Sequence, residues 1–105
     1  MLTPLDQLDA KVFREQLNTK FKVMLGGAPV LLELVEVAER DSSPQMELFS
    51  LHFRGPGAPR LPQQVHRLEH EKLGAFEIFL TAIDPGQEPG MLYESVFHRF
   101  RKPQP

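Results

Sequence analysis

Apolar residues recur at two different periods along this chain, and the change falls at Thr19. Before it, Leu5, Leu8 and Val12 lie at helical spacing, and so do Ala10, Phe13 and Leu17. Thr3-Pro4-Leu5-Asp6 reads as an N-terminal cap, with Thr3 capping, Pro4 in the first helical position and an acid three residues on. Asp9 is a second capping candidate, for a separate helix from Ala10 to Leu17, so one bent helix and two short ones both fit. Asn18 is suited to a left-handed terminator. Either arrangement leaves one apolar face that must pack on something.

From Thr19 the period is two. Phe21, Val23 and Leu25 alternate with Lys20, Lys22 and Met24 in a half-buried strand, and Gly26-Gly27 is a hairpin signal. The return strand runs from Pro29 to about Glu39. Its alternation slips: Leu32 and Leu34 share one face, Val35 and Val37 the other. A bulge near Leu34-Val35 accounts for the slip and bends the sheet. Asp41-Ser42-Ser43-Pro44 is a polar turn. Met46 to Phe53 forms a third strand with Phe49, Leu51 and Phe53 on one side. Phe76 to Ile83 and Met91 to Phe100 form two more, the last with Tyr93, Ser95 and Phe97 on one face.

Gln63 to Leu73 fits two patterns. Pro62 and Gly74 are good helix boundaries, but Val65 and Leu68 give a thin apolar stripe. The preferred reading is a strand from Gln64 to His70 and a tight turn through Glu71-Lys72-Leu73-Gly74. The expected fold is mainly β, α+β by strict count, in one domain over residues 1–105. A helical segment spans 1–18, about six antiparallel strands span 19–101, and 102–105 fray. A strongly curved sheet or partly closed barrel, plugged by the N-terminal segment, protects the edges and buries one face.

Composition narrows the chemistry. At 105 residues, with 12 Lys plus Arg against 14 Asp plus Glu, the net charge is −2, and a general nucleic-acid binder usually carries a basic excess instead. There is no Cys, which excludes disulfides, thiolate catalysis and Cys-ligated metal centres. Apolar runs are far shorter than the roughly 20 residues of a spanning helix. No basic-then-apolar leader opens the chain, so the expected compartment is the cytoplasm, with no membrane association, and export by a route that uses no cleaved signal is the alternative.

The order and spacing of several short motifs carry a resemblance. They are Phe49-Ser50-Leu51-His52-Phe53-Arg54-Gly55-Pro56, Leu61-Pro62, Leu68-Glu69-His70 with Leu73-Gly74, Phe76-Glu77-Ile78-Phe79-Leu80, and Tyr93-Glu94-Ser95-Val96-Phe97. Together they resemble a family of small bacterial proteins classed as a domain of unknown function, over about residues 9–98. Where members often have Pro after the His of Leu-Glu-His, this chain has Glu71. The resemblance implies no activity. It implies an assembly role, as an accessory of a phage-tail-like or surface structure beside collar and fibre proteins.

Three sets of residues are candidates for chemistry. The stiff loop from Arg54 to Pro62 holds three Pro and two Gly, so it loses little entropy on docking, and it carries Arg54, Arg60 and Leu61 as partner-binding candidates. A pocket in the barrel mouth is the alternative. Glu69, Glu77 and Glu94 would converge there with Tyr93 and Phe97, as in a small-ligand barrel or a weakly marked hydrolase. His66 and His70 could grip a metal on a helix; on a strand they lie ~13 Å apart, too far for one ion. The serines Ser42, Ser43, Ser50 and Ser95 form no nucleophile elbow, and the Gly-rich turns are no phosphate loop. The basic stretch His98-Arg99-Phe100-Arg101-Lys102 suits a charged edge strand better than a single-strand nucleic-acid site. The expectation is a non-enzymatic interaction or assembly module with no cofactor and no metal. It takes a protein partner or self-associates through the Arg54–Leu61 loop and an exposed strand edge, in the manner of strand addition.

Overall fold

The computed structural model describes residues 2–40, 43–86 and 89–100. Asp41 and Ser42 of the expected polar turn, and the tail expected to fray, lie outside the described residues. A 3-10 turn at Leu5–Gln7 and the short helix α1 (Ala10–Arg14) precede six strands: β1 (Lys20–Leu25), β2 (Ala28–Glu39), β3 (Met46–Gly55), β4 (Gln64–His70), β5 (Gly74–Ile83) and β6 (Met91–Phe100). They form a closed antiparallel barrel in the order β1-β2-β3-β6-β5-β4. The sheet therefore closes on itself in topology, and Gln64 to His70 is strand.

Local chemistry accounts for the turns. Gly26 and Gly27 have φ of 58° and 86°, the two positive values of a tight hairpin whose twist matches its strands. Asn18 takes φ 68° and ends the helical segment. Asp9 caps α1 by accepting the Val12 N–H at 2.8 Å. Thr3 is not a cap: its N–H donates to the Ala75 carbonyl at 2.7 Å and its hydroxyl to the Leu73 carbonyl at 2.8 Å. Extended backbone at Pro4 and Leu8 breaks the 1–18 segment into a 3-10 turn and a separate five-residue helix. The slip in β2 is a register shift against β3 between Leu34 and Glu36.

Alternation then fills the barrel. Phe21, Leu32, Leu34, Phe49, Phe53, Leu68, Phe76 and Leu80 point inward with no exposure. Phe21 meets Phe53 and Phe76 edge-on at 5.3 and 6.1 Å, and Phe49 stacks on Phe97 at 4.7 Å. Two residues from outside the sheet plug the ends. Phe13 of α1 sits on Phe49, Phe76 and Phe97 with ring separations of 6.2, 5.8 and 5.8 Å. Leu61 covers the other end, and its N–H donates to the Tyr93 hydroxyl at 3.0 Å.

Candidate interaction surface

Phe and Leu side chains fill most of the barrel's lumen, and the carboxylates lie on its outer surface. Tyr93 and Phe97 are buried in the lumen, whereas Glu94 projects from the opposite face of β6. Glu69 lies on the outside near Lys22 Nζ at 3.5 Å and Arg67 Nε at 3.7 Å. Glu77 is exposed on β5. The structure thus does not gather Glu69, Glu77, Tyr93, Glu94 and Phe97 into one mouth, because strand alternation sends the carboxylates out and the rings in.

The histidines of β4 point inward. His66 donates from Nε2 to the Pro62 carbonyl at 2.7 Å. His70 accepts the N–H groups of Lys72 and Leu73 on Nδ1 at 3.0 and 3.2 Å, which places its proton on Nε2, facing the Thr19 hydroxyl at 2.8 Å. It also packs on Phe21 at 4.3 Å between ring centroids. Burial holds its pKa below the ordinary imidazole value, with Glu71 opposing and Lys72 adding. The helix that a His66–His70 metal grip requires is absent, and no group of three potential ligands occurs among the described residues. His70 is a neutral joint that ties the β4–β5 turn to the start of β1.

The proline-rich loop divides between inside and outside. Leu61 is a core plug rather than a docking residue, because the loop needs an apolar anchor at the barrel end. Arg60 is exposed beside a shallow hollow of about 410 Å³ with Ile83, Asp84 and Gly90. Arg54 is half-buried within β3, on the outer wall between Glu33 and Leu92.

A charged clasp that the periodicity did not reveal lies on the wall formed by β2, β3 and β6. His52 donates from Nδ1 to Glu36 and from Nε2 to Glu94, both at 2.9 Å. An imidazole donating from both nitrogens is an imidazolium. Burial disfavours that charge, but Glu94 and Glu36 together outweigh it and hold the pKa above the ordinary value. The signal was the β2 bulge, which sets Glu36 directly across from His52. Next to the clasp, the Ser50 hydroxyl is buried with no hydrogen-bond partner among the described residues. It lies beside a hollow of about 270 Å³ that Arg40, Leu48, Glu94 and Val96 also border.

The most distinctive surface is the β5–β6 seam. Its described pairing consists of Thr81, Ala82 and Ile83 with Glu94, Tyr93 and Leu92. Continued, that register would set Phe79 against Val96 and Glu77 against His98, but the strands part. The Ala75 carbonyl turns to this side, where it meets Thr3. Strand alternation turns the backbone of Glu77 and Phe79 the same way. By the same rule Val96 and His98, two and four residues beyond Glu94, face the gap from β6. The gap is a groove of about 460 Å³, bordered by Leu5, Val65, Glu77, Phe79, Val96 and His98, with Ile78 and Phe97 reached between the strands. Val65, Phe79 and Val96 are 56, 47 and 59% exposed. At the lower end, Thr3 adds to β5 and Arg99 of β6 holds the same segment, donating to the Leu5 and Leu8 carbonyls at 2.7 Å each. Glu47 fixes Arg99 at 2.9 Å, and its guanidinium lies over Phe49 and Phe97.

These features define a small closed β-barrel with a filled interior, plugged ends and a partly open seam. The model of the family described as Domain of unknown function (DUF6916) matches residues 8–97, and the chain belongs to that family. No match was found among curated proteins or among solved structures. No helix among the described residues is long and apolar enough to cross a membrane.

Proposed function

We propose that this domain is a non-enzymatic interaction module of the cytoplasm that docks a protein partner on its outer surface. Such a role suits an accessory of a larger assembly, including a phage-tail-like or surface structure. The observation that carries this reading is the parted β5–β6 ladder, with Val65, Phe79 and Val96 exposed along it. Grouped apolar side chains on a small domain mark interaction sites, and natural barrels otherwise avoid open edges. The inward face of β6 supports the same reading, because Tyr93 and Phe97 are packed into the core there, 1 and 7% exposed.

Affinity capture from native lysate of the source organism tests it, with three baits: the wild-type chain, Arg60→Ala and Phe79→Lys/Val96→Lys. The expected result is one specific partner held by the wild type and lost by the seam variant. Equal recovery by wild type and seam variant would remove the seam from the reading. Loss confined to Arg60→Ala would move the docking face to the proline-rich loop.

A further inference from the structure

Resting on the reading of the seam as a docking face, we infer that the partner contributes a short extended segment that enters between β5 and β6 as an added strand. Its main chain would bond to the backbone of Glu77 and Phe79 on one side and of Val96 and His98 on the other. One main-chain hydrogen bond from outside the barrel already reaches this edge. Thr3 donates to Ala75 two residues below Glu77, and Leu5 of the same segment forms the lower limit of the groove. The upper limit is the Thr81–Glu94 rung. A site closed at both ends takes a strand tip or a short linear segment and excludes the broad face of a second barrel.

The groove also defines the chemistry of that segment. Side chains in an added strand alternate between the two sides of the sheet. Those turned outward would lie beside Val65, Phe79 and Val96, so apolar and β-branched residues fit. One turned inward would meet Ile78 and Phe97, which line the groove floor and are 4 and 7% exposed, so glycine or alanine suits that position. Arg99 takes no part in recognition, because Glu47 and the Leu5 and Leu8 carbonyls occupy its guanidinium. Main-chain bonding would supply affinity and the apolar alternation selectivity, the division of labour in strand addition.

The test uses the full chain as bait for a phage-displayed random heptapeptide library, with counter-selection on Phe79→Lys/Val96→Lys. Enriched peptides are then synthesised and titrated by calorimetry, while amide hydrogen exchange is followed residue by residue. The inference expects alternating apolar sequences, slowed exchange at Glu77, Phe79, Val96 and His98, and at least about tenfold weaker binding when one gap-facing peptide amide is N-methylated, the equivalent of one lost hydrogen bond. Peptides that bind the seam without protecting those amides would overturn strand addition while leaving a docking face there. Enrichment unaffected by the seam variant, or no enrichment, would overturn the inference. A dimer in light scattering that Phe79→Lys/Val96→Lys dissociates would assign the seam to a second copy and would likewise overturn it.

Discussion

The two sides of β6 differ sharply. Toward β3 its register runs unbroken from Met91↔Gly55 to Phe100↔Met46. Toward β5 it consists of Leu92, Tyr93 and Glu94, and then the strands part. The same residues alternate between these environments: the backbone of Ser95 and Phe97 turns to β3, that of Val96 and His98 to the gap. The β3 side is tied across by the His52 clasp. The β5 side is bridged at its lower end by a segment from outside the barrel, held by Arg99 and Thr3. A barrel can thus be closed in topology while its cohesion is uneven, and along the parted stretch of β5 and β6 the apolar side chains Phe79 and Val96 are exposed.

The largest expected effect comes from the plug that both sides share. Phe13→Ala removes the ring lodged between Phe49, Phe76 and Phe97, and urea unfolding should show a loss of about 3–5 kcal/mol. Arg99→Met acts on the seam itself. It keeps most of the stem but removes donors to two carbonyls and to Glu47, so a loss of about 2–3 kcal/mol is expected, with faster exchange spreading from the gap into the 3-10 turn. An Arg99→Met protein as stable as wild type would mean that the arm is held by packing alone.

His52 and His70 act with opposite sign. His52 has a raised pKa, so its stabilising contribution is complete below the unfolded value of about 6.5 and is lost as pH rises through the folded value. His70 has a lowered pKa, so its contribution is present above about 6.5 and is lost as pH falls through the folded value. Thermal unfolding from pH 5 to 8.5 should show stability declining on the alkaline side in wild type, and that decline absent in His52→Gln. Because Glu36 is 61% exposed, the clasp is worth less than about 1 kcal/mol. Ser50→Ala is expected to be neutral or to stabilise by up to about 1 kcal/mol, since it deletes a buried hydroxyl without a partner among the described residues. Phe79→Lys should change stability by no more than about 0.5 kcal/mol, the ordinary range for an exposed site, while abolishing binding at the seam.

Most of the architecture was legible from period and punctuation. The helical-to-strand switch at Thr19, the Gly26-Gly27 hairpin, the β2 bulge and the strand at Gln64–His70 each follow from local rules, and closure is the consequence of bending six such strands. What the sequence hid depends on which strands become neighbours. His52 lies 16 residues from Glu36 and 42 from Glu94, so the clasp exists only through the β2–β3–β6 order. Thr3 looked like a helix cap because its spacing fits one, but tertiary pairing with Leu73 and Ala75 claimed both its polar groups. Leu61 looked like an interface residue because its loop is stiff, whereas the barrel end needed a plug. The parted seam has no local signature, since Phe79 and Val96 belong to well-patterned strands.

Native-state amide hydrogen exchange along β6 tests the central claim most directly, because adjacent residues of one strand serve as each other's control. The account predicts alternation: strong protection at Ser95 and Phe97, bonded toward β3, and weak protection at Val96 and His98, with Glu77 and Phe79 equally weak on β5. Uniform protection through Ser95 to His98 would mean that β5 and β6 are laddered along their length, and would contradict both the open seam and the docking role assigned to it.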